Sequence, residues 1–267
     1  MSVTAVVVNL VRERVAKWPA DPGQGVVFDL LRLLSRWRSQ MLANTYIHLQ
    51  GRRIWSGPFV GMEYVDSATE GALMPRLLGT YESELHPHLA SLAAEGLDGV
   101  IDVGCAEGYY AVGLARMMPD VTVYAYDIDE KARASCAELA QRNGVADRVV
   151  VGGEFKPDGF EAFAGRRMLV LVDTEGAELD ILRPDLSPAL AGMSIIVETH
   201  DVFRAGALET LQARFAATHD IVRVDQQPKT FEMPPFLRPM THLDQLLAVW
   251  EWRLQPTPWL VMRPKRT

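Results

Sequence analysis

V-I-D-V-G-C-A-E-G-Y-Y-A-V-G-L-A, from Val100 to Ala115, followed by V-Y-A-Y-D-I-D, from Val123 to Asp129, decides the fold. Apolar residues lead into Asp102, a Gly104-x-x-x-Gly108 turn follows, and an amphipathic helix begins. A second apolar strand then ends on Asp127. Strand, tight turn, helix, strand and acid make up half of a doubly wound sheet, the half that holds an adenosine group. Gly104 and Gly108 allow close backbone approach. Asp127, at the carboxyl end of its strand, offers acceptors to both ribose hydroxyls.

The glycine spacing discriminates between ligands. A dinucleotide turn reads G-x-G-x-x-G, so that two phosphates lie against a helix N-terminus. Here Ala106 replaces the middle glycine and Glu107 sits in the turn. A carboxylate there repels a pyrophosphate but tolerates a cationic sulfonium or ammonium group. The segment resembles motif I of class I S-adenosylmethionine-dependent methyltransferases. Two further stretches, L-V-L-V-D-T-E-G-A-E-L-D-I-L (Leu169–Leu182) and S-I-I-V-E-T-H-D (Ser194–Asp201), resemble FkbM-type members, which modify small molecules on oxygen. The resemblance implies an O-methyltransferase of a small polar metabolite such as a sugar or natural-product scaffold. The alternatives are N- or C-methylation, and a noncatalytic adenosine-binding partner protein.

Composition sets the outer limits. With 48% hydrophobic and 23% charged residues, the 267-residue chain suits a globular α/β protein. A net charge of −7 argues against a nucleic-acid binder. Two cysteines exclude a disulfide framework and point to a reducing, cytoplasmic compartment. The N-terminal T-A-V-V-V-N-L-V run is too short to span a bilayer. The partners expected are therefore a small-molecule acceptor and, optionally, a second copy of the chain, with neither nucleic acid nor membrane.

From Leu97 onward, strand and helix patterns alternate as a parallel sheet requires. Strands are expected at 99–103, 121–126, 148–152, 168–172, 193–198, 220–225 and 258–263. The resemblance implies a Rossmann-like, doubly wound seven-stranded sheet whose last strand inserts antiparallel. Residues 1–97 read as an N-terminal, mostly helical accessory region, with a short hairpin over Tyr46–Tyr64 and a helix over Thr80–Ala94. Residues 98–267 read as the S-adenosylmethionine-binding domain. Within it, 226–257, rich in proline and aromatics, reads as a lid insertion before the last strand or as a dimerisation arm.

Asp102, Asp127, Asp173 and Glu198 each close an apolar run, so their carboxylates should crowd one sheet edge, with His200 just beyond. Acids ending buried strands are costly unless paired or used. The expected cofactor residues are Tyr81, Glu82, Asp102, Gly104, Cys105, Ala106, Glu107, Gly108, Asp127, Ile128, Glu154, Phe155 and Asp173. Among them Glu82 or Glu107 would accept from the methionine ammonium, Glu154 from the adenine amine, and Phe155 would stack on the ring. The expected catalytic residues are His200, Asp173 and Glu198. His200 is either a general base or, with Asp173 and Glu198, a ligand of Mg2+ or another divalent cation. Glu178 has a competing role at a helix N-terminus.

Overall fold

The computed structural model describes residues 2–65 and 71–265. Its centre is a seven-stranded sheet of β1 (Gly99–Val103), β2 (Thr122–Tyr126), β3 (Val149–Gly152), β4 (Met168–Val172), β5 (Ser194–Glu198), β6 (His219–Val224) and β7 (Trp259–Pro264). The order is β3-β2-β1-β4-β5-β7-β6, and β7 runs antiparallel to both neighbours. The seven strands and the antiparallel insertion follow the sequence reading.

All five residues of β1, β4 and β5 are buried, because helices or the N-terminal region cover both faces. Alternation along the strands sorts the core into two layers. Val100, Val123, Leu169, Leu171, Ile196 and Val261 face one layer. Ile101, Val103, Val170, Val172, Ile195 and Val197 face the other.

The helices are α1 (Val3–Ala16), α2 (Gln24–Gln50), α3 (Leu73–Leu78), α4 (His86–Ala93), α5 (Tyr109–Met117), α6 (Glu130–Arg142), α7 (Glu178–Ile181), α8 (Ala207–Phe215) and α9 (His242–Ala248). Capping follows local chemistry: the Asp129 carboxylate accepts from Lys131 N at 3.0 Å, and the Thr241 hydroxyl accepts from Asp244 N at 3.2 Å.

The N-terminal region shares the first core layer. Leu42, Tyr46, Ile54, Phe59, Met62 and Tyr64 are buried there with α5 and the sheet. Gly113 on α5 makes room for the Phe59 ring, which a Cβ would meet at 2.6 Å.

Several local expectations are corrected. Tyr46 lies within α2, since Leu42, Ala43 and Tyr46 are buried along one helical stripe; of the hairpin, an isolated antiparallel bridge between Arg53 and Glu63 remains. The helix placed over Thr80–Ala94 is a 3-10 turn, Ser83–Leu85, followed by α4. His219 opens β6 and is buried, with Nε2 2.9 Å from the Met193 carbonyl.

Gly104 locks the sheet edge. Its φ is +86°, and a Cβ there would stand 1.7 Å from the Asp173 carbonyl oxygen. Gly104→Ala should therefore destabilise the fold by on the order of 2 kcal/mol or more. Gly153, where a Cβ meets nothing within 4 Å, should accept alanine with little change. Thermal unfolding of the two variants checks this contrast.

Candidate functional site

One cleft of about 900 Å3 opens beyond the carboxyl ends of the parallel strands, where a doubly wound sheet places its ligands. Its first half is built by the loop after β1. Gly104, Ala106 and Gly108 all have positive φ, at 86°, 46° and 96°. The N–H groups of Gly104 and Cys105 donate to the Tyr126 carbonyl at 2.8 and 3.0 Å. Asp127 then buckles the loop to the end of β2. Its Oδ2 accepts from Ala106 N at 2.9 Å and its Oδ1 from Asp129 N at 2.8 Å. Each oxygen keeps a second lone pair for a ligand hydroxyl.

Gly104, Ala106, Asp127, Ile128, Glu154 and Phe155 line this half, as does Tyr81. Ile128 is 83% exposed, an apolar side chain left in water beside the carboxylate. The Phe155 ring packs edge-on against Tyr126, with centroids 4.7 Å apart.

Five expected cofactor residues do not line the cleft: Glu82, Asp102, Cys105, Glu107 and Gly108. Asp102 and Cys105 are buried. Gly108 is set against Cys136 of α6, whose Sγ a Cβ would meet at 2.8 Å. Glu107 is buried, accepts from the Tyr64 hydroxyl and lies 3.8 Å from Arg76 Nε. Glu82 is buried, accepts from the Tyr110 hydroxyl and is paired with Arg253. Both acids proposed to receive an ammonium group thus have internal cationic and phenolic partners instead, which corrects that expectation.

The second half gathers acids around one imidazole. His200 is 3% exposed. Its Nδ1 lies 2.8 Å from Glu178 Oε1, an oxygen that also accepts from Gly176 N at 2.9 Å. Three carboxylates surround its Nε2: Glu175 at 3.4 Å, Glu198 at 3.6 Å and Asp173 at 3.7 Å. Burial, then the charges of Glu198, Glu82 and Glu175, push the Asp173 carboxyl well above its usual range. Burial works against a charged His200, but the Glu178 hydrogen bond and the surrounding carboxylates outweigh it, and its pKa is raised.

Sequence reasoning missed Arg253. It sits in the insertion and reaches the strand ends, donating to Glu198 and Glu82, with its Nε 3.0 Å from Glu251 Oε2. Thr257 donates to the same Glu198 oxygen at 2.5 Å. Glu175, too, was not assigned to the site. The donor atoms of Asp173, Glu175 and His200 lie within 4.8 Å of one another, whereas Glu198 is engaged by Arg253 and Thr257. The candidate metal set is therefore corrected from Asp173, Glu198 and His200 to Asp173, Glu175 and His200.

The insertion divides between two tasks. Trp252, Arg253, Leu254, Gln255 and Thr257 line the cleft. The earlier part packs on the N-terminal region through α9 against α2 and through a hydrogen bond from Trp55 Nε1 to the Glu232 carbonyl. Lys229, 4% exposed, lies 2.6 Å from both Glu84 and Glu251. Buried ion pairs thus fasten this segment to the body of the protein.

The family model described as "Methyltransferase small domain" matches residues 85–163, the stretch that carries the Gly104–Gly108 loop and Asp127. Residues 85–163 thus match a methyltransferase family model, within a sheet that has the strand order of the α/β methyltransferase fold. The finer FkbM-type assignment stays a resemblance.

Among curated proteins, "Ribosomal protein L11 methyltransferase" of Hamiltonella defensa is 26% identical over 65% of this chain and 59% of its own length. "Release factor glutamine methyltransferase" of Synechocystis is 33% identical over 33% of this chain and 30% of its own. The chain thus spans less than two thirds of the length of these relatives. A solved structure, a putative O-methyltransferase from Klebsiella pneumoniae, aligns over 98% of this chain and 97% of its own at 14% identity, with a TM-score of 0.49. The relatives' names overturn the expected partners. They describe enzymes of a ribosomal protein and a release factor, so a small-molecule acceptor with nucleic-acid partners excluded is withdrawn. Among the described residues, no helix is long and apolar enough to cross a membrane.

Asp102, beneath the loop, gives a pH signature. Burial, and then the charge of Asp127, push its carboxyl up to about 7 from 3.8. A raised folded-state pKa contributes stability that is complete below the unfolded value and is lost as pH rises through the folded one. The melting temperature should therefore fall between about pH 4 and pH 7, and Asp102→Asn, which mimics the protonated acid, should flatten that fall. Equal slopes for the two proteins would contradict this assignment.

Proposed function

We propose that the chain is an S-adenosylmethionine-dependent methyltransferase acting on a nucleophilic group presented by a protein. One observation carries the reading. A single cleft joins the Asp127 loop, suited to an adenosyl group, to the Asp173, Glu175 and His200 cluster, suited to an acceptor. When bound, S-adenosylmethionine supplies a methyl group already activated on a positive sulfur.

The rest is positioning and proton handling. Asp127 would accept from the ribose hydroxyls while its backbone bonds hold the loop in shape. Ile128 and Phe155 would flank the adenine, and Glu154 would accept from its amine. The acidic second half favours an acceptor that is cationic or carries a proton to lose, and aligning it with the methyl accounts for most of the needed acceleration. The names of the curated relatives support a protein as the bearer of that group.

Two measurements test this reading. Asp127→Ala should weaken binding of S-adenosylhomocysteine by about tenfold or more, since unpaired ligand hydroxyls cost about 1–3 kcal/mol. Wild-type affinity in a folded Asp127→Ala protein would remove Asp127 from the ribose site. Incubation of a cell extract with methyl-labelled S-adenosylmethionine should place label in protease-sensitive material. Label confined to the RNA fraction or to the low-molecular-weight filtrate would overturn the protein acceptor.

A further inference from the structure

The first two helices hold apolar side chains that the body of the protein does not cover. α2 is seated by its second half, where its buried residues are Ser39, Leu42, Ala43 and Tyr46. Its first half, residues 24–37, extends about 20 Å and carries α1 alongside. Trp37 Nε1 donates to Thr4 Oγ1 at 3.3 Å, so the two helices run antiparallel as a hairpin. Every residue of α1 is at least partly exposed.

Apolar side chains leave this hairpin on several sides. Helical spacing sets Val3, Val6 and Leu10 along one side of α1, and Val8 and Val15 along another. On α2, Val27, Leu31 and Leu34 share a stripe, with Phe28 about 100° further round. All nine are 38–59% exposed. Two short helices gain little from packing on each other alone, and a helix that is apolar on most sides requires a surrounding that covers it.

The charge of the hairpin is opposite to that of the chain. Residues 2–38 hold six Lys and Arg against three Asp and Glu, whereas the whole chain stands at −7. Arg12, Arg14 and Lys17 are exposed where α1 ends, and Trp18 follows them, half-buried.

We propose that the α1–α2 hairpin is a lipid-surface anchor that seats the protein on a bilayer containing anionic phospholipid. Its apolar side chains would enter the boundary between headgroups and acyl chains, and its cations would meet the phosphates. The occupant follows from shape and sign. A protein partner covers one side of a projecting hairpin, whereas a fluid boundary closes around several. A second copy would set two cationic hairpins against each other, while an anionic surface attracts them. The acidic remainder of the chain is repelled by the same surface, but a hairpin reaching about 20 Å holds it off by more than the Debye length of about 8 Å at physiological salt. The anchor is independent of the methyl-transfer reading.

Cosedimentation of the full chain with vesicles tests it. Wild type should pellet with vesicles of mixed phosphatidylcholine and phosphatidylglycerol, and bind those of phosphatidylcholine alone about tenfold or more weakly. Arg12→Gln, Arg14→Gln and Lys17→Gln together should lower the affinity for the anionic vesicles by about tenfold or more. Phe28→Ser with Leu31→Ser, at two positions more than half exposed, should lower it by about the same factor. Leu186→Ser, an exposed apolar residue outside the hairpin, should leave it unchanged.

No pelleting of wild type with either vesicle, equal affinity for the two lipid compositions, or unchanged affinity in either hairpin variant overturns the anchor. So does a lipid-free dimer, seen by light scattering, that Phe28→Ser with Leu31→Ser dissociates, because a second copy then covers this face.

Discussion

The close approach of Gly104 to the Asp173 carbonyl is the contact on which the site depends. Gly104 begins the loop after β1, and Asp173 directly follows β4, with its N–H donating to the Val103 carbonyl at 2.9 Å. A Cβ at position 104 would stand 1.7 Å from that carbonyl oxygen. The absence of a side chain thus lets two neighbouring strand ends lie against each other. The loop proposed to cradle the adenosyl group and the acid proposed to face the acceptor are set by one backbone contact, so both lie in a single cleft. Gly108 repeats the device one turn later, where α5 meets Cys136 of α6.

Electrostatics explains why the insertion is present. Burying Glu82, Glu198 and Glu251 together would be costly without cations between them. Arg253 and Lys229 supply these cations, and both belong to the segment between β6 and β7. The N-terminal region contributes Glu82 and Glu84 to the same network. Even so, burial pushes the Glu82 carboxyl up to about 7 against the pull of Arg253. The insertion and the N-terminal region are therefore coupled to the strand ends by charge as well as by packing.

The middle of the sheet was legible because β1, β4 and β5 are short runs rich in apolar residues, and two buried faces leave little freedom in their register. Asp127 and the Gly104–Gly108 loop could be placed for the same reason. The N-terminal region was harder to read. Tyr46 and Ile47 fit an alternating strand as well as a helix, and only the burial of Leu42, Ala43 and Tyr46 on one stripe decides between them. Glu82 and Glu107 were misplaced because a carboxylate beside a ligand motif looks available in one dimension. Their partners, Tyr110, Arg253, Tyr64 and Arg76, lie up to 171 positions away in sequence. Arg253 carried no local signal at all, since its value comes from three acids brought to it by the fold. Glu175 lies two positions after Asp173, and its positive φ of 50°, which sets its carboxylate 3.4 Å from His200, is a turn that no periodicity reports.

The central claim is that donor and acceptor halves occupy one cleft, split between Asp127 and His200. A crystal structure of the full chain with S-adenosylhomocysteine tests it most directly. The account predicts the ribose hydroxyls within hydrogen-bonding distance of Asp127, the adenine between Ile128 and Phe155, and the sulfur directed toward Asp173 and His200. An adenosyl group bound elsewhere, or a sulfur turned away from the Asp173, Glu175 and His200 cluster, would contradict it.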